Sequence, residues 1–178
     1  MQLKTLAYLI FFNVALVVAR GATSQDIVAS FSKVTMKAAV VQRELDAMHN
    51  GTSIVSLLTR INLDSLTNGI RDIKNVLEAV PGPLSPEECA EVIDTFYQMQ
   101  PVITANLKAL VDKKYVIDNL GFGRVTAIVG LTLIDLKRIN DEIQDALLAV
   151  APDDCLHEVL PLLEQVNAVY NTSLAVYA

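Results

Sequence analysis

Residues 125–150 read VTAIVGLTLIDLKRINDEIQDALLAV, and the fold turns on whether this stretch is a helix. Val125, Val129, Leu136, Ile139, Ile143, Leu147 and Val150, with Thr132 filling one gap, recur at the three- and four-residue spacing of a core-facing helical stripe. A buried strand is the rival for VTAIVGLTLI, because Val, Ile and Thr favour strands. The helical period nevertheless continues unbroken to Val150, and no partner strand appears elsewhere. Val125 to Ile134 carries no charge, whereas Lys137, Arg138, Asp141, Glu142 and Asp145 crowd the later polar face. The front half is therefore expected to be buried on most sides and the back half on one.

The same period organises the chain on either side. A first helix is predicted from Ser24 to Met48, with Ile27, Phe31, Val34, Ala38, Val41 and Leu45 in its stripe. After the turn HNGT, a second runs from Thr52 or Ser53 to about Val80, slipping phase near Asn62 and Asp64. The clearest start signal is SPEE, with Ser85 as cap, Pro86 in the first position and Glu88 closing a capping box. That third helix continues past Leu107, with a kink expected at Pro101. A fifth helix follows APDD, carries Leu156, Val159, Leu163, Val166, Tyr170 and Tyr177, and has a second kink expected at Pro161. Five long amphipathic helices with short links predict an all-α, up-and-down bundle, a single domain over residues 24–178.

Residues 1–19 have the marks of a secretory signal peptide: Lys4, an apolar run from Leu6, and small residues allowing cleavage after Ala19 or Gly21. Asn13 interrupts that run, which is already short of the about 18 apolar residues a membrane span requires. No transmembrane segment is expected later in the chain. Secretion fits the sequons Asn50-Gly51-Thr52 and Asn171-Thr172-Ser173, of which Asn50, in a turn, is the better glycosylation candidate. A formal net charge of −6 makes nucleic acid and anionic membranes poor partners. With no Trp, and three of the ten Phe and Tyr residues inside the leader, the core must be mostly aliphatic.

In an alternating bundle the first turns of helices three and five lie at one end, so Cys89 and Cys155 can meet. Two cysteines in a secreted chain suggest a disulfide; the alternative is two separate buried thiols. No catalytic motif occurs: GxSxG, HExxH and the P-loop are absent, and neither His49 nor His157 has a partner in sequence. Asp153 and Asp154 are better read as first-turn carboxylates than as metal ligands. No metal, cofactor or enzymatic activity is expected. Gly130, inside a helix, costs about 1 kcal/mol relative to Ala. Either a neighbouring helix comes close there or room is left for a ligand.

Three features carry a family resemblance: a first helix ending before HNGTS, a long second helix, and the segment from FYQMQPVITANLKALVDKK through GFG to ALLAVAP. From DIVASFSKV onward the chain resembles the fungal hydrophobic surface-binding protein A family, which includes the cell-wall galactomannoproteins. The resemblance implies a secreted helical bundle that takes fatty acids or other apolar molecules into a central cavity, or adsorbs to hydrophobic surfaces. The Ser/Thr-rich stalk and anchor of wall-bound members are missing, so a released monomer is expected. Cell-wall association needs some other attachment. On the carrier reading the cavity is lined by Phe31, Val34, Leu58, Ile73, Phe96, Met99, Ile103, Val129, Gly130 and Leu133. The alternative is a surface-active protein that coats apolar material and recruits a hydrolase. A carbohydrate-binding module is disfavoured by the lack of Trp.

Overall fold

The computed structural model describes residues 21–49, 63–119 and 124–178. The expected leader, Asn50, the stretch from Thr52 to Asn62 with Leu58, where the second helix is expected to begin, and Gly121-Phe122-Gly123 lie outside them. Among the described residues there are six helices: α1 (Ser24–Asp46), α2 (Leu63–Glu78), α3 (Pro86–Asp112), the short α4 (Lys114–Asp118), α5 (Arg124–Val150) and α6 (Asp153–Tyr177). The expected stripe of α1 is buried from Ile27 to Leu45. Helices α3 and α6 run on through Pro101 and Pro161.

Helix starts are fixed by local chemistry. Ser85 accepts from the Glu88 backbone N–H while its own N–H donates to the Glu88 carboxylate at 2.9 Å, the box predicted from SPEE. Thr23 and Asp26 build the same device on α1. The sequence reading missed that one, because Asp stands where Glu or Gln is usual. The backbone N–H of Ser85, then its hydroxyl, hold the Glu88 carboxyl below its ordinary 4.5. Thr23 does likewise for Asp26.

Cross-helix contacts fix the directions. Ser24 lies against Glu88, Asn106 donates to the Ala38 carbonyl and Lys113 to that of Met48, so α1 and α3 run parallel. Helix α2 opposes α1, since Ala22 N–H donates to Ala79 and Lys37 reaches Ser65. Gln100 with Gln165, and Tyr177 with Leu110, place α6 parallel to α3. The long helices alternate in direction along the chain, as expected, but their spatial order is different. Packing runs α1, α3, α6, α5, α2 and back to α1, a closed ring in which each long helix has two neighbours. Three parallel helices stand side by side, faced by two of opposite direction. One end of the ring is plugged by buried Leu84, whose N–H donates to Val150 at 2.8 Å.

The front half of α5 departs from expectation. Ile128, Leu131 and Ile134 are 47%, 67% and 57% exposed. They follow one another at three-residue steps on the side away from Val125, Leu133 and Leu136, so burial there is one-sided as in the back half.

Depressed carboxylate pKa values give stability that is present above the unfolded value and lost as pH falls through the folded one. Stability is therefore expected to decline on acidification below about pH 4.5, with a shallower decline in Glu88→Gln. Ser85→Ala should cost about 1 kcal/mol at neutral pH. Urea unfolding at a series of pH values measures both.

Candidate functional site

The interior of the ring is the candidate site. Phe31 of α1 meets Phe96 of α3 edge to face, with ring centroids 5.7 Å apart at 67°. Val34, Ile73, Met99 and Leu133 are buried in the same continuous apolar cluster, and half-buried Ile103 and Val129 pack against it. Of the residues singled out from sequence, all but Leu58, outside the described residues, and Gly130 thus fall in or against one cluster, from α1, α2, α3 and α5. Helix α6 supplies the remaining wall through Leu163, Val166 and Tyr170. Its stripe was visible in the sequence, but nothing in a periodic pattern says that this helix closes a ring.

Two buried amides interrupt the apolar surroundings. Asn106 donates to Ala38 at 2.9 Å but leaves its Oδ1 without a partner. Between α5 and α6, Gln144 accepts from Asn167 at 2.8 Å and leaves its Nε2 free. Each is a fixed polar point for a ligand headgroup or water, since unpaired buried polar groups are costly.

Gly130 has a different use from room for a ligand. A Cβ built there would stand 3.3 Å from the Tyr177 carbonyl oxygen and 3.7 Å from its Cβ. The end of α6 therefore rests on the α5 backbone. Tyr177 also donates its hydroxyl to the Leu110 carbonyl at 2.7 Å and lies beneath the Lys114 ammonium, 5.5 Å from the ring centroid. Burial raises its pKa, keeping the phenol a neutral donor. One residue ties α3, α4, α5 and α6.

Cys89 and Cys155 are both buried thiols, in side-chain contact with each other. Burial, then that contact, push the Cys89 thiol up to about 12, so it is no nucleophile at neutral pH. Asn171 is exposed on α6, with Thr172 and Ser173 bonded back to their own helix. Among the described residues no three His, Cys, Asp or Glu side chains gather to hold a metal ion, and no helix is long and apolar enough to cross a membrane.

No protein-family model matches the chain, and no curated protein matches it in sequence. Solved structures do match. AfMP4p, in complex with palmitic acid, superposes with a TM-score of 0.77 at 19% identity, over 87% of this chain and 99% of that one. Ligand binding domain 2 of the Penicillium marneffei MP1 protein, complexed with multiple arachidonic acids, gives 0.74 at 15% identity, covering 84% and 92%. Domain 1 of the same protein, also complexed with arachidonic acids, gives 0.74 at 13%, covering 84% and 95%. The fold is that of these helical ligand-binding domains. At such identities the likeness concerns the fold, and function has to be argued from the site.

Gly130→Leu is expected to destabilise the protein by about 1–3 kcal/mol through overpacking against Tyr177. Removal of Tyr177 and Ala178, which takes away the carbonyl and Cβ that meet position 130, should relieve part of that cost, giving a coupling energy of at least about 0.5 kcal/mol in a double-mutant cycle. Additive losses would show that the two positions do not press on each other.

Proposed function

We propose that this protein is a secreted, non-enzymatic carrier that holds a fatty acid or similar single-chain lipid among the side chains inside the ring. The observation that carries the proposal is the superposition on AfMP4p, a protein solved with palmitic acid, over nearly the whole helical part of the chain. The interior suits such a ligand. Its walls are aliphatic with an aromatic pair, and burial of an alkyl chain contributes about 0.8 kcal/mol per methylene. Met99, unbranched and adaptable, is able to yield to a chain where a branched residue is not. Membership of the hydrophobic surface-binding protein A family, with cleavage of the leader after Ala19 or Gly21, belongs to this reading.

A second reading has one observation in its favour. The exposed Ile128, Leu131 and Ile134 stripe is the apolar face that a surface-adsorbing protein needs. Replacing all three by Ser should abolish adsorption to wax or polymer films if adsorption is the function, and should leave fatty-acid uptake unchanged if carriage is.

Native mass spectrometry of protein purified from a secreting host decides the first reading. A discrete adduct released by organic extraction, or one palmitate or arachidonate taken up by delipidated protein, is the expected result. A mass that stays unshifted after incubation with both sinks the carrier proposal. The secreted protein is also expected to carry a Cys89–Cys155 disulfide, its two thiols giving up two protons and two electrons to a disulfide oxidant. Its intact mass should be lower by two hydrogens, and reduction should remove about 4 kcal/mol of stability in the chain-entropy model.

A further inference from the structure

Away from the interior, the seam between α3 and α6 opens into a groove of about 360 Å³, walled by Thr104, Lys108 and Val111 on one side and Ala168, Val169 and Thr172 on the other. The opening has a cause in sequence. The two parallel helices are tied by Gln100 with Gln165 at 3.0 Å and by Tyr177 with Leu110 at 2.7 Å. Between those ties the side chains that α6 turns to the seam are short ones, Ala168, Val169 and Thr172, with Ser173 at the floor, its hydroxyl turned back onto Val169. Nothing there is long enough to fill the seam.

The groove is apolar but for one charge. Lys108 is exposed and makes no ion pair or hydrogen bond among the described residues. By contrast, Lys74, Lys114 and Lys137 are each paired with a carboxylate four residues on. One turn before Lys108, the Thr104 hydroxyl is buried without a partner. Threonine in a helix has two accessible rotamers, so this donor can turn toward the same point. An apolar trough with a single unpaired cation at its rim complements an amphiphile with one alkyl chain and one negative head. The volume lies near the bottom of the ~300–1,000 Å³ range of small-molecule sites, enough for one medium-length chain.

The geometry points to a second binding site in the α3–α6 groove for a medium-chain alkyl carboxylate, its head on Lys108 and its chain along Val111, Val169 and Ala168. This site is independent of the interior proposed above. Failure of palmitate to enter the ring leaves it standing, and its own failure leaves the interior reading intact.

The test is a titration of ¹⁵N-labelled, delipidated full-length secreted protein with sodium octanoate, decanoate and the corresponding alcohols. Amide shifts should gather on residues 104–111 and 168–173. Octanoate to decanoate should tighten binding by up to about fourfold per methylene. The alcohols should bind more weakly than the carboxylates, and added salt should narrow that difference. Ala168→Trp, with helix content unchanged by circular dichroism, should remove these shifts. Lys108→Glu, a surface change that leaves packing alone, should weaken decanoate by about fivefold or more. Shifts confined to the interior around Phe31, Phe96 and Leu133 would overturn the site, as would decanoate affinity that Lys108→Glu leaves unchanged.

Discussion

Closure of the ring is the constraint on which the rest depends. In a five-membered ring the two neighbours of any helix lie about 100° apart, close to the width of an ordinary apolar helical stripe. Each helix can thus satisfy both neighbours with one continuous stripe whose middle faces inward. Among the described residues no two opposite helices pack closely, so side chains occupy the centre. The Phe31–Phe96 pair is the largest such filling in view. A four-helix bundle of the same residues would bring its backbones nearer the axis and leave less of its interior to rearrangeable side chains. In the five-membered ring, interior volume is held by rotamers and not by backbone.

Helix α6 makes the ring out of an arc, and its two seams differ in kind. Toward α5 it is specified by polar contacts, the chain of amides through Asn140, Asn167 and Gln144, and by the rest of Tyr177 on Gly130. Toward α3 it is tied at both ends and open between them. Buried amides add little net stability but penalise a slipped register, since sliding α6 by one turn would strand every partner. The polar seam sets the register, and the small residues of the other seam leave space that packing does not claim.

The helices themselves were legible from the sequence. Stripes from Ile27 to Leu45 and from Val125 to Val150, and the capping box at Ser85, are local signals that depend on neighbours within a few residues. Tertiary order was not legible in the same way. An apolar stripe states that a helix has a buried face, yet it does not name which helix covers it; the placement of α3 between α1 and α6 is seen in the contacts of Asn106 and Lys113 with α1 and of Gln100 with α6. The apolar front half of α5 was misjudged for a related reason. Absence of charge does not imply burial: Ile128, Leu131 and Ile134 form an outward-facing stripe, and apolar atoms make up much of any folded surface. Gly69, whose missing side chain lets Val34 and Lys37 of α1 approach α2, carried no distinguishing signal at all.

The candidate lining residues came together for a reason that limits what their convergence proves. Phe31, Val34, Ile73, Phe96, Met99 and Leu133 are the large members of inward stripes, and any correct assignment of the helices would bring them into one cluster. Their convergence supports the fold and is neutral between a solid core and one that opens for a ligand. What separates the two is polar placement. Asn106 is held by its bond to Ala38 and Gln144 by the bond it accepts from Asn167, while Asn106 Oδ1 and Gln144 Nε2 stay buried without a partner among the described residues, and an unsatisfied buried group is costly. An interior that receives an amphiphile has a use for those two atoms, since a ligand headgroup or a buried water can hydrogen-bond to them.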